Sequence, residues 1–155
     1  MAQGLSPFKV EGAAISAGRI VLQQIRERIR KRATFGVETT LSGLHYARLI
    51  AEMKAAGYKV HIFFLWISSP RLAATRIAIR VKMGGHNIPR ATVNRRFRRA
   101  LRNMFQIYFD LADYVMIFDS SDIKPKLVAE KSACGFEVLD RKRFKKIQES
   151  VNRYG

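Results

Sequence analysis

The nine residues at 58–66, YKVHIFFLW, constrain the fold more than any other stretch of this chain. They are nearly continuous in apolar side chains, the pattern of a strand buried on both faces in a parallel sheet covered by helices. Helical segments flank the run. Residues 43–56 form a helix that Gly57 stops, since glycine adopts the left-handed conformation that closes a helix. On the other side, Ser69-Pro70 gives an N-cap followed by proline at the first helical position, opening a helix to about residue 83. GGHNIP then breaks the pattern, and Pro89 starts a further helix running to about residue 109. YVMIFDS at 114–120 is the next strand, and after Pro125 come one or two weaker strands and a basic helix at 140–152. Upstream, residues 11–32 read as a helix, with Val21, Ile25 and Ile29 at four-residue spacing. TFGVE (34–38) reads as a short strand. Alternation of strand and helix predicts an α/β fold, a mainly parallel sheet with flanking helices, in a single domain over residues 1–155.

Ligands of such sheets sit at the carboxyl ends of the strands. Those ends carry Glu38-Thr39-Thr40, Ser68-Ser69 and Asp119-Ser120-Ser121. Glu38 can orient a hydroxyl or a metal-bound water, and Thr39 and Thr40 add hydroxyl donors. Capping of the next helix through Thr40 or Ser42 is the competing explanation.

The charge balance narrows the partners. Twenty-nine Lys and Arg against 12 Asp and Glu give a formal net charge of +17. Such a surface implies polyanions: a nucleotide or phosphorylated small molecule, nucleic acid, or an acidic protein. The single Cys134 excludes an internal disulfide and is expected to be a small packing residue in a cytoplasmic protein. The longest apolar run is far too short to cross a bilayer. His45, His61 and His86 are scattered, so no metal site is expected from them.

Two helices carry the informative arginines. After Pro89, Val93, Phe97, Leu101, Met104 and Tyr108 make one apolar stripe. Arg95, Arg99 and Arg102 point away from it, while Arg96 and Arg98 flank it at an edge that can reach a cleft. In the preceding helix Arg80 is expected beside the core-facing Ala73, Ile77 and Val81. A long cation there needs a partner, either an internal acid or a bound phosphate. GGHNIP supplies two glycines, His86 and a helix N-terminus, which suits a phosphate-closing lid, although the segment taken alone reads first as a plain helix–helix turn with His86 on its surface.

GLSPF near the start, then ETTLSG, GYKVHIFFLW, SSPRLA, and RVKMGGHNIP followed by RRF and LRN together resemble the zeta-toxin-like P-loop kinases. The resemblance runs from Gly4 to about Pro125. It implies a P-loop NTPase-fold phosphotransferase that uses ATP and magnesium, the better-studied members of the family phosphorylating UDP-activated amino sugars. By resemblance Glu38 matches an active-site acid near substrate and metal. Arg80 and Arg96 match lid arginines on the nucleotide phosphates, with Thr39, Thr40, His86, Arg98 and Asp119 around the substrate or phosphate site. The family's phosphate loop, G-x-x-x-x-G-K-[ST], cradles phosphates with backbone amides and neutralises them with its lysine. The dipeptide Gly-Lys occurs nowhere in these 155 residues, and no two glycines are five apart. The resemblance therefore implies a truncated kinase-like fold, inactive by itself, with a sheet edge left free to oligomerise. A non-enzymatic basic module binding nucleic acid or an acidic partner is the alternative.

Overall fold

The computed structural model describes residues 7–154, with side chains from residue 18 onward. They fall into two compact units, residues 1–38 and 39–155.

The first unit is built on one helix, α1 (Pro7–Arg30). It closes where Arg32 turns to a φ of +52°. The Arg32 amide then donates to the Ile29 carbonyl and the Ala33 amide to the Arg28 carbonyl, so two end carbonyls are satisfied despite the absence of a glycine. The expected strand at 34–38 does not form. A strand exists only through ladder bonds to a neighbour, and the described residues of this unit offer no second strand.

The second unit begins with α2 (His45–Ala55), then β1 (His61–Trp66), α3 (Pro70–Lys82) and α4 (Arg90–Asn103). A π-helical turn (Met104–Tyr108) and the short α5 (Phe109–Leu111) follow, then β2 (Tyr114–Asp119), β3 (Lys126–Ser132), β4 (Gly135–Val138) and α6 (Arg141–Tyr154). Strand order in the sheet is β1-β2-β3-β4. β1 runs parallel to β2, with His61 opposite Tyr114 and Trp66 opposite Asp119, whereas β2–β3 and β3–β4 are antiparallel. The sheet is therefore mixed rather than mainly parallel. The departure begins after Pro125, where the chain returns through hairpins too short to hold a crossover helix.

One sheet face is the core. Val115, Ile117, Val128 and Ala129 pack there with Leu101, Met104 and Tyr108 from the α4 segment and Ile147 from α6. Edge-to-face rings extend this packing, Phe64 on Phe105 at 6.0 Å and Phe109 on Phe136 at 5.3 Å. Lys131 fastens the far end of the α4–α5 segment to β3. Its ammonium donates to the carbonyls of Phe109 at 2.6 Å and Ala112 at 3.0 Å, where a helix end presents negative partial charge. The opposite face is not covered at β1: Phe63 is 63% exposed and Leu65 57%. The apolar run at 58–66 is thus a half-buried strand at the sheet edge, not one buried on both faces. Cys134 is also corrected, from packing residue to exposed thiol, because it falls in the tight β3–β4 turn.

The stop signals hold. Ser69 caps α3, its hydroxyl accepting from the Leu72 amide at 3.2 Å. Gly57 takes a φ of +85° after α2, as expected of a helix stop. At the end of α3, Gly84 takes a φ of +89°, and the Gly84 and Gly85 amides close onto the carbonyls of Val81 and Arg80 at 3.0 and 2.9 Å. Both glycines of GGHNIP are therefore used to end a helix. Gly85 has no room for a side chain, since a Cβ would lie 2.7 Å from Arg80 Cγ and 2.8 Å from the Arg80 carbonyl oxygen. Backbone cannot yield as a flexible side chain does, so Gly85→Ala is expected to lower stability by about 1–3 kcal/mol. Unchanged thermal unfolding of this variant would show that the α3–α4 turn relaxes freely.

Candidate functional site

The carboxyl ends of β1 and β2 lie side by side, and the polar residues expected there meet. Ser121 is the hub. Its hydroxyl accepts the Ser68 amide at 3.0 Å, its amide donates to Asp119 Oδ1 at 3.0 Å, and its carbonyl accepts Arg76 Nη2 at 3.1 Å. Arg76 also reaches the Asp122 carbonyl at 3.1 Å, so one guanidinium from α3 pins the loop that follows β2. Asp119 is buried, with Oδ2 3.4 Å from Arg143 Nε on α6. Arg143 bonds Asp140 as well. The Arg143 amide and side chain hold the Asp140 carboxyl below its ordinary value, and Asp140 raises Arg143 in return. A cleft of about 840 Å³ opens beside this loop, lined by Arg76, Ser120, Ser121, Lys124 and Lys126 among others. Trp66, buried at the end of β1, has an indole N–H with no acceptor among the described residues.

A second constellation holds the segment 39–44. Thr39 Oγ1 accepts the Leu41 amide at 3.2 Å, and the hydroxyls of Thr40 and Ser42 are 2.9 Å apart. Neither threonine caps α2, whose N-terminus has no side-chain cap. Leu41 takes a φ of +52° with its side chain buried, an outlier for a bulky residue of the kind that clusters at functional sites. Two side chains from the α4 segment hold it there. Asn103 Nδ2 donates to the Leu41 carbonyl at 2.8 Å, and the Tyr108 hydroxyl donates to the Gly43 carbonyl. Burial raises the Tyr108 phenol above its ordinary value. Tyr108 closes the π-helical turn, a local irregularity often found at functional sites.

The remaining expected site residues are on the surface. Glu38 is exposed in the first unit and lies on no strand, so the strand-end placement expected for it is corrected. Thr39 and Thr40 are exposed and belong to the second unit. Arg80, Arg96, Arg98 and His86 are exposed. Arg80 was expected beside a buried helix face, but α3 has no buried residue, so nothing desolvates its cation. Among the described residues no acid pairs with Arg80, Arg96 or Arg98. The helices that carry them, α3 and α4, pack together.

Sequence reasoning missed Arg76, Asn103, Tyr108 and Arg143 as organising residues. Arg76 carried a usable signal, lying one helical turn before Arg80 on α3. Asn103 carried another, being an amide next to the apolar stripe of α4. Arg143 carried only a local one, Asp140 three residues before it, since its other partner Asp119 is distant in sequence and the charge run around it resembles a solvated face.

Among the described residues no helix is long and apolar enough to cross a membrane. A family model described as zeta toxin matches residues 9–129. An uncharacterized protein of Haemophilus influenzae is 31% identical over 97 residues, covering 63% of this chain and 69% of that relative. No solved structure gives a significant match. With the family match extending from α1 into β3, this chain belongs to the zeta toxin family.

Proposed function

We propose that this chain carries the anion-handling part of a zeta-toxin-like small-molecule kinase, and that these 155 residues by themselves transfer no phosphoryl group. The observation that carries the reading is the placement of Arg80 and Arg96. Both are exposed and, among the described residues, without an acid partner, on two helices packed against each other. Forked guanidinium groups bind phosphate through paired charge-assisted hydrogen bonds, and an arginine already committed to a carboxylate could not. Arg98 and His86 add donors on the same α3–α4 segment, and Thr39 and Thr40 offer hydroxyls from the 39–44 loop. Asp119 repels phosphate and serves instead by shaping the strand-end loop.

The family implies ATP and magnesium. Arg80 and Arg96, with no acid partner among the described residues, suit the phosphates of a nucleotide, which would supply the transferable phosphoryl group. Among the described residues no three His, Cys, Asp or Glu converge on a point, so the side chains present give magnesium no protein cage. Glu38 is the acid assigned to orient a substrate hydroxyl; a UDP-amino sugar is the acceptor proposed from the family. Without backbone amides and a lysine on the β- and γ-phosphates, the largest electrostatic contribution to transfer is missing.

Titration with ATP and with pyrophosphate tests the anion site. Arg80→Ala and Arg96→Ala are each expected to weaken both ligands by about tenfold, the loss of one charge-assisted contact. Equal affinity in both variants would overturn the site. Phosphoryl transfer from radiolabelled ATP to a UDP-amino sugar should stay at background. Turnover that disappears in Glu38→Gln would overturn the second half of the proposal.

A further inference from the structure

We infer that the outer faces of α4 and α6 together form a docking surface for the backbone of double-stranded nucleic acid. α4 carries six arginines and no acid in 14 residues. α6 carries six Lys or Arg against the single Glu149, also in 14 residues. The fold sets these two helices side by side. Phe97 of α4 and Tyr154 of α6 meet edge to face at 5.5 Å, and Leu101 and Ile147 are buried in one core on the same sheet face. At helical spacing, Arg95, Arg99 and Arg102 then point outward from α4, and Lys142, Lys145 and Lys146 point outward from α6. All six are exposed.

Among the described residues these six cations have no acid to neutralise them. Of the twelve on both helices only Arg143 is in an ion pair among the described residues, and Arg153 lies over the Tyr154 ring. Like charges three and four residues apart destabilise a helix, so this face is relieved by an anion from outside. Its dimensions suit a duplex. The α4 row spans about 10 Å of helix, and packed helices lie about 8–10 Å apart, which gives two cationic rows at a spacing close to that of phosphates across a groove. The aromatic residues discriminate among polyanions. Phe97, Phe144 and Tyr154 turn into the core, leaving no stacking platform for the bases of a single strand and no apolar anchor for a protein partner. The resulting contact is to phosphates alone and independent of sequence.

Fluorescence anisotropy with one short labelled sequence, as duplex RNA, duplex DNA and single strand, tests the surface and identifies which duplex it takes. Duplex binding at about 150 mM salt is expected, with log K falling by about 5 per decade of salt if six phosphates are neutralised. Arg95→Gln with Arg99→Gln, and separately Lys142→Gln with Lys145→Gln, should each weaken it at least about tenfold and flatten the salt slope. Lys124→Gln with Lys126→Gln, which removes the same charge elsewhere, should change it far less. All these positions are exposed, so the variants keep the core, and unchanged thermal unfolding verifies that. Wild-type affinity in either helix variant, an equal loss in the control pair, tighter binding of the single strand, or equal competition by polyglutamate would each overturn the assignment.

Discussion

Replacing Asn103 by alanine is expected to lower stability by about 1–3 kcal/mol, the cost of leaving a buried carbonyl without its donor. Asn103 is buried, and its side-chain amide donates to the Leu41 carbonyl at 2.8 Å. Leu41 itself sits at a φ of +52°, a conformation that costs an L-residue about 1–2 kcal/mol. A loop stays in such a conformation only while its surroundings over-determine it, and the two bonds from Asn103 and Tyr108 do so here. Alanine at 103 removes one of them, so Leu41 gains a reason to relax and a route for doing so. For a domain of this size the melting temperature should fall by about 3–10 °C. Amide exchange across 39–44 should accelerate more than in the sheet. A variant with wild-type melting and wild-type protection at 39–44 would show that packing of the Leu41 side chain, not the Asn103 amide, holds the loop. Tyr108→Phe offers the companion measurement, since it deletes only the hydroxyl bonded to Gly43 and keeps the buried ring.

Local signals were legible wherever a residue type has one physical use. Ser69-Pro70, Gly57 and the apolar stripe of α4 each specify their element from within a few residues, and each stands as expected. The strand ends Ser68-Ser69 and Asp119-Ser120-Ser121 were also legible, because parallel pairing of β1 and β2 was implied by the helices between them. Pairing partners were not legible. Whether 34–38 becomes a strand, or whether one face of β1 is covered, depends on elements elsewhere in the chain, and an apolar run carries no record of its neighbours. GGHNIP shows the same limit at a motif. Two glycines and a histidine suit a lid, yet both glycines are accounted for by ending α3, and His86 lies exposed. Periodicity singled out Arg80 and Arg96 as candidates but could not give their ion-pair status. Arg143 is committed to two carboxylates, Asp140 three residues before it and Asp119 across the fold, while Arg80 and Arg96 have none among the described residues, and the Asp119 contact is fixed by tertiary structure.

Asp119→Ala is expected to destabilise the second unit by about 1.5–3 kcal/mol, the range for a hydrogen bond to a charged group. The carboxylate is buried and serves two partners at once, the Ser121 amide at 3.0 Å and the Arg143 guanidinium at 3.4 Å. Alanine leaves the amide without an acceptor. It also leaves Arg143 to Asp140 alone, and this half of the loss is softened because Arg143 is partly exposed. The consequence spreads along the loop, because Ser121 also accepts from Ser68 and Arg76. Asp119→Asn keeps the shape and an acceptor oxygen for Ser121 while losing the charge facing Arg143, so it should lose less. The two variants therefore separate the hydrogen bond from the ion pair. They also separate an organising role from a ligand contact. If Asp119 only shapes the loop, nucleotide affinity should follow stability, falling in the alanine variant and recovering most of the way in asparagine. Affinity that falls equally in both, while their melting temperatures differ, would place the Asp119 charge in contact with the ligand and end the organising role assigned to it.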